Sequence, residues 1–259
     1  MFVFACDHLE IKLPLNHRFP IQKYRLLRNR VRNLGSVRVC SPMRPNKKIL
    51  SRVHSSDYIN RVFQGGLSER EIERIGFPWS TELVERSLYS VGCTISASFE
   101  SLIGKISCSL AGGTHHAGYD CGEGFCVFND IAIAISLLRN KYPEIKILVV
   151  DTDVHQGNGT ADLLLNYSNV FTLSLHSSRN YPHRKAHSNI DVGFPDGTGD
   201  SHYLSVFSET LDHAIEYSKP DFVFFLAGAD IFRLNFSHGL HSEHRKIVFH
   251  IRQYEKRIG

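Results

Sequence analysis

Asp151, Asp153 and His155 occupy alternate positions directly after the apolar run Ile145-Lys-Ile-Leu-Val-Val150. Side chains two residues apart in an extended segment point to the same side. Asp153 and His155 can therefore reach one point in space, with Asp151 supporting them from just inside a strand. One more carboxylate from another strand end completes a three-ligand catalytic metal centre with an open position. Asp230, which closes Phe222-Val-Phe-Phe-Leu-Ala-Gly-Ala-Asp230, is placed to supply it. Two carboxylates and an imidazole suit Zn²⁺, with Fe²⁺ as the borderline alternative. The competing reading is that strand-end Asp and His residues simply cap the helices that follow.

A second constellation is the tandem pair in Gly112-Gly-Thr-His115-His116. Adjacent imidazoles can divide general-base and electrostatic work on a water molecule at a metal. Each needs a hydrogen-bond acceptor on its second nitrogen, and Asp151 and Asn158 are the candidates. The flanking glycines permit close backbone approach, which sets this pair apart from ordinary surface or core histidines. Gly122-Glu-Gly124-Phe125-Cys126 reads as a loop with an aromatic wall, and Phe125 with Tyr181 could line a narrow slot for an extended aliphatic chain. Core packing is the alternative for either ring. Cys121 and Cys126 have no partner at ligand spacing and are assigned to packing.

Positioning these residues requires strand ends. The apolar runs 145–150, 170–175 and 222–227 read as buried strands, and 106–111 as a further one leading into the histidine pair. Residues 80–103 read as a helix, with Val84, Leu88, Val91, Ile95, Phe99 and Leu102 on one face and Ser80 or Thr81 at its start. A second helix is expected from Asp130 to Tyr142, capped by Asn129 or Asp130 and stopped by Pro143. Strand–helix alternation predicts an α/β fold with a mainly parallel sheet covered by helices on both faces. His115 and His116 then follow one strand, Asp151 to His155 the next, His176 the third and Asp230 the fourth. Ligand sites in such sheets lie outside the carboxyl ends of the strands.

Bulk properties narrow the classes. A chain of 259 residues with 42% hydrophobic and 22% charged residues is ordinary for one globular domain, and no repeat or linker divides it. The net charge of +4 is mild and dispersed, which argues against a nucleic-acid partner, and the His-rich C-terminal stretch 241–259 reads as a solvated helix. No apolar run approaches the ~20 residues that span a bilayer, so no membrane is expected. Six cysteines without a CxxC pair, and an N-terminus without a basic leader, lead us to expect a cytoplasmic protein with free thiols.

Taken together, Gly113-Thr-His115-His116-Ala, Gly124-Phe125-Cys-Val-Phe-Asn129-Asp130, Asp151-x-Asp153-x-His155-Gln-Gly-Asn158-Gly and Ala227-Gly-Ala-Asp230 resemble the histone deacetylase superfamily. The Gln-Gly-Asn-Gly form is similar to class IV enzymes and their short prokaryotic relatives. His17-Arg-Phe-Pro-Ile-Gln-Lys-Tyr-Arg, Arg52-Val-His-Ser-Ser-Asp-Tyr and Ile75-Gly-Phe-Pro-Trp-Ser80 agree with it. The resemblance implies an arginase/deacetylase-type sheet and zinc held by Asp153, His155 and Asp230. It implies His116 as the main proton-transfer residue near Asn158, His115 as its partner oriented by Asp151, and Phe125 as one wall of an acyl-lysine channel. It also implies a structural potassium ion with oxygens from Asp151, Asp153, His155, Ser174 and Leu175. The substrate would be an acylated lysine peptide or, as in acetylpolyamine hydrolases, a small acylated amine.

The chain departs from the family pattern after Asp230. Members carry a Gly-Gly-Tyr turn some forty residues beyond the last metal aspartate, whereas 29 residues follow Asp230 here and none reads Gly-Gly-Tyr. Arg233-Leu-Asn-Phe-Ser-His-Gly239 stands where members have Gly-Asp-Arg-Leu-Gly, and Tyr254 reads either as a displaced remnant of the catalytic tyrosine or as an ordinary surface tyrosine. The expectation is a single, C-terminally shortened domain lacking its last strands, with weakened or lost turnover as the alternative to full activity.

Overall fold

The computed structural model describes residues 1–104 and 106–228. In chain order they form β1 (Phe2–Phe4), α1 (Lys23–Arg32), β2 (Arg38–Cys40), α2 (Lys47–Leu50), α3 (Ser56–Gln64), α4 (Glu69–Ile75), α5 (Thr81–Gly104) and β3 (Ser107–Ser109). There follow α6 (Asp130–Lys141), β4 (Ile147–Asp151), α7 (Asn158–Leu164), β5 (Val170–Ser177), β6 (Ile190–Phe194), α8 (Asp200–Ser218) and β7 (Phe222–Leu226). Asp230, Tyr254 and the stretches 233–239 and 241–259 lie outside the described residues.

Among the described residues the strands form two sheets, β2-β1-β3 and β6-β5-β4-β7, and every strand pairing within them is parallel. β4 is buried along its whole length because both of its faces are covered. Its side chains alternate between two cores. Ile147 and Val149 join Phe224 and Leu226 with α5 and α6 residues on one face, while Leu148 and Val150 join Leu173, Leu175 and the α8 residues Phe207, Leu211 and Ala214 on the other. This is the α/β architecture with parallel strands flanked by helices that the alternating pattern predicts. The register sets Asp151 opposite Ser174 of β5 and Leu226 of β7.

Local signals place the helices. The Asn129 side chain accepts from Ala132 N–H to cap α6, and Ser80 Oγ accepts from Leu83 N–H at the start of α5. Along α5, Val84, Leu88, Val91 and Ile95 are buried and Phe99 is half-buried. Leu102 departs from that face: it is 38% exposed, because the last turn of α5 runs past the edge of the core. The expected strand 106–111 shortens to the three residues of β3, which pairs with β1 rather than with the β4 sheet. Among the described residues no helix is long and apolar enough to cross a membrane.

Candidate active site

β4 delivers Asp151 to the carboxyl edge of its sheet, where its two oxygens have separate tasks. Oδ2 accepts from His115 Nδ1 at 2.6 Å, and Oδ1 accepts from the backbone N–H of Asp153 at 3.0 Å. Asp153 Oδ1 in turn accepts from His155 N–H at 2.9 Å and faces His155 Nδ1 at the same distance. Gly157 lets these segments close on one another. A Cβ there would stand 2.4 Å from Asp151 Oδ2 and 3.0 Å from His115 Nδ1.

The loop carrying the two histidines hangs on Asp130, a fully buried carboxylate at the start of α6. It accepts from Thr94 Oγ1 at 2.6 Å, from the N–H groups of Gly113 and Thr114 at 2.9 Å each, and from Thr114 Oγ1 at 2.8 Å. Downstream, Thr160 N–H donates to the His115 carbonyl at 3.0 Å and Asn129 Nδ2 donates to the Ala117 carbonyl at 3.1 Å. The loop is thus tied to α5, α6 and α7 independently of its strand.

The rings of His115 and His116 lie 4.2 Å apart between centroids, tilted 50° to one another, but meet opposite environments. Burial disfavours the charged form of His115, yet the Asp151 carboxylate outweighs it and the pKa is pushed up to about 9. His116 is also buried, and here burial and the positive charge of His115 act together, so its pKa is pushed down to about 3. His116 Nδ1–H donates to Asn158 Oδ1 at 2.7 Å, which leaves Nε2 as an unprotonated acceptor. Adjacent titratable groups driven apart in this way separate the roles of charge stabiliser and base.

The donors available for a cation fit the expected chemistry as far as they are described. Asp153 Oδ1 and His155 Nδ1 are 2.9 Å apart, close to the ~3.3 Å that separates two ligands of a tetrahedral zinc with bonds near 2.0 Å. The Asp153 carboxyl is held below its usual range: burial opposes this, and the His155 hydrogen bond and the His115 charge prevail. Among the described residues no three His, Cys, Asp or Glu side chains form a metal-binding group. The third expected ligand, Asp230, lies outside them. Gly228, two residues before it, lies directly against Asp153: a Cβ on Gly228 would stand 2.7 Å from Asp153 Cα and 2.8 Å from its Oδ2. Of the residues expected around potassium, Asp151 and Ser174 are register partners, and Ser174 Oγ lies 3.0 Å from His176 Nδ1.

Tyr181 and Phe125 have different neighbours. Tyr181 meets His116 edge-on at 5.0 Å and His155 at 6.3 Å. Gly124 fits between Tyr181 and His116, where a Cβ would stand 2.7 Å from His116 Cδ2. Phe125 adopts a φ of +66° and packs among His17, Phe19 and Phe77 at 5.1–6.0 Å. Sequence reasoning passed over Glu123, although an acidic residue between two glycines in a site loop was the available signal. Glu123 is only 6% exposed, and it receives Arg74 Nε at 2.6 Å and Asn158 Nδ2 at 2.6 Å.

Residues 17–256 match the family model described as histone deacetylase domain. An uncharacterized protein of Picosynechococcus sp. is 40% identical over 221 residues, covering 84% of this chain and 74% of that relative. Histone deacetylase clr6 of Schizosaccharomyces pombe is 30% identical over 83% of this chain and 58% of its own length. Acetoin utilization protein AcuC of Staphylococcus xylosus is 27% identical over 90% of this chain and 67% of its own. The chain therefore spans between 58% and 74% of these relatives. The crystal structure of an HDAC homolog from Aquifex aeolicus superposes with a TM-score of 0.74 at 24% identity, over 86% of this chain and 67% of that one. An HDAC homolog complexed with SAHA gives 0.73 at 23% identity.

Proposed function

The chain belongs to the histone deacetylase family, and from that premise we propose that it is a zinc-dependent amidohydrolase that removes acyl groups from lysine side chains or related amines. The observation that carries this reading is the divided pair His115–His116, one imidazole held positive by Asp151 and the other held neutral with Nε2 free to accept a proton. A group of that kind suits water attack on an amide.

Zinc held by Asp153, His155 and Asp230 would supply Lewis acidity toward the amide carbonyl. The protein's own residues do the rest. His116 Nε2 takes the proton of the attacking water while its Nδ1–H stays on Asn158. The fixed positive charge of His115, 4.2 Å away, favours the negative charge that develops on the substrate. The proton on His116 then passes to the departing amine, giving a carboxylate and a free amine. Tyr181, edge-on to both His116 and His155, walls the space where an aliphatic side chain would enter.

The test is hydrolysis of acetyl-lysine and long-chain acyl-lysine peptides, and of an acetylated polyamine, by the purified zinc-loaded chain beside His116→Ala. Loss of a general base costs roughly 10²–10⁴ in rate, so the variant should fall by at least the lower figure. Equal rates for the two proteins on every substrate would overturn the reading.

A further inference from the structure

We propose that Glu123 is a positioning residue for His116: pinned by Arg74, it fixes which way round the Asn158 amide sits and so which nitrogen of His116 carries the proton. This rests on the reading of His116 as the proton-accepting group. The geometry is a linear chain of four side chains. Arg74 Nε donates to Glu123 Oε2 at 2.6 Å and a terminal nitrogen of the same guanidinium lies 2.5 Å from that oxygen. Asn158 Nδ2 donates to Glu123 Oε1 at 2.6 Å, and Asn158 Oδ1 accepts from His116 Nδ1–H at 2.7 Å. Burial and the nearby Glu123 carboxylate both push the pKa of the Tyr181 hydroxyl up.

The directionality follows from donor and acceptor inventory. A carboxylate shared with a guanidinium offers lone pairs only, so the Asn158 amide must turn its NH₂ toward it. Its oxygen is then left facing His116, and an oxygen there requires Nδ1 to be the protonated nitrogen. Nε2, the nitrogen on the substrate side, is thereby kept as a lone pair. An unconstrained asparagine has no such preference, because its two ends are nearly isosteric and it can flip. An Asn beside a catalytic imidazole would by itself be an ambiguous partner, and Glu123 removes the ambiguity. The carboxylate can do this because it is buried and its loop is fixed, with Gly124 N–H donating to the Arg74 carbonyl at 3.0 Å and Phe125 N–H to the Ile75 carbonyl at 2.7 Å.

A charge-compensation cycle tests it. In Glu123→Gln, Arg74 claims the amide oxygen, the Gln NH₂ faces Asn158, and the Asn flips. His116 is driven to the Nε2–H form, which cannot accept a proton there. In Asn158→Asp two carboxylates face one another across a hydrogen-bond distance. In the double variant E123Q/N158D the Gln NH₂ donates to the Asp, and the Asp accepts from His116 Nδ1–H. We expect kcat to fall roughly 10- to 100-fold in each single variant with KM changed less than about threefold, and to recover most of the loss in the double variant.

The imidazole ¹⁵N spectrum, with the His116 signal assigned by its loss in His116→Ala, reads the tautomer without any turnover. It should report Nδ1–H in the wild type and the double variant, and Nε2–H in Glu123→Gln. A wild-type tautomer in Glu123→Gln, or a double variant no better than the singles in kcat, would overturn the proposal. A tautomer switch in Glu123→Gln beside a wild type that hydrolyses no acyl amine would instead count against the proposed activity and leave the positioning role standing. Melting temperatures are read on all four proteins. A purely structural Glu123 would lower the melting point in Glu123→Gln with no change of tautomer, which also overturns the proposal.

Discussion

His115 Nδ1 and Asp151 Oδ2 meet at 2.6 Å, joining a loop that leaves the β2-β1-β3 sheet to the end of β4, an inner strand of the other sheet. Both side chains are about 95% buried, so neither charge has water to fall back on. Removing one member of a buried pair leaves the other uncompensated, which costs about 3–5 kcal/mol where the survivor stays charged. His115 can instead release its proton, which limits the loss.

Asp151→Asn keeps the shape of the site and removes the charge. We expect a loss of about 2 kcal/mol in stability. A fall in kcat should accompany it, because His116 then sits beside a neutral ring rather than an imidazolium. Urea midpoints and steady-state kinetics on the same preparations check both. A variant as stable and as active as the wild type would show that the ion pair matters to neither.

Asp130→Ala strips four donors of their common acceptor: Thr94 Oγ1, Gly113 N–H, Thr114 N–H and Thr114 Oγ1. Unpaired buried donors cost about 1–3 kcal/mol each before relaxation, so the expected destabilisation is at least 3 kcal/mol. Asp130→Asn, which still accepts on one oxygen, should lie between the variant and the wild type. Hydrogen exchange at Gly113 and Thr114 should accelerate in both, and unchanged protection would mean that the loop is held elsewhere.

The parts of this molecule that follow a period were legible in its sequence. β4, β5, β7, α5 and α6 each carry an unbroken apolar run or a helical face, and they form within a few residues of the expected bounds. α1 carries no buried residue and so left no apolar stripe to read, and β1 and β2 are too short for a pattern. β6 alternates but contains Asp191 and Gly193, which weakens a strand signal. The site divides the same way. Asp151, Asp153 and His155 were legible because alternation along one strand aims them. Glu123 was not, since its partners Asn158 and Arg74 lie 35 and 49 residues away and meet it only in the folded chain.

His54 makes stability depend on pH away from the candidate active site. Its Nδ1–H donates to the Gly118 carbonyl at 2.8 Å and its Nε2 accepts from Asn129 N–H at 3.0 Å, an arrangement that only the neutral ring satisfies. Burial, opposed by the two backbone carbonyls around it, pushes its pKa from 6.5 down to about 4. The unfolded chain therefore binds this proton first as the pH falls. The stabilising contribution is complete above about pH 6.5 and is lost as the pH drops toward 4, by about 3 kcal/mol in all. His54→Asn, which keeps the donor to Gly118 but cannot titrate, should flatten the slope of unfolding free energy against pH in that window. Parallel slopes for the two proteins would assign the acid sensitivity to other groups.

Gly228, two residues past the end of β7, packs directly against Asp153. It adopts a φ of +67°, which costs a residue with a side chain about 1–2 kcal/mol. An added Cβ would also stand 2.7 Å from Asp153 Cα and 3.1 Å from its Cβ, where backbone rather than a flexible side chain must yield. Gly228→Ala should therefore displace Asp153 from His155 Nδ1, or carry the segment leading to Asp230 away from both. Either movement spoils a shared cation site, so zinc affinity measured by chelator competition should weaken roughly 10- to 100-fold. Gly66→Ala is the matched control, since a Cβ there meets only ordinary contacts at 3.7–3.9 Å. It should leave zinc affinity alone and alter stability by less than about 0.5 kcal/mol. Wild-type zinc affinity in Gly228→Ala would mean that Asp153 and the chain after β7 do not serve the same ion.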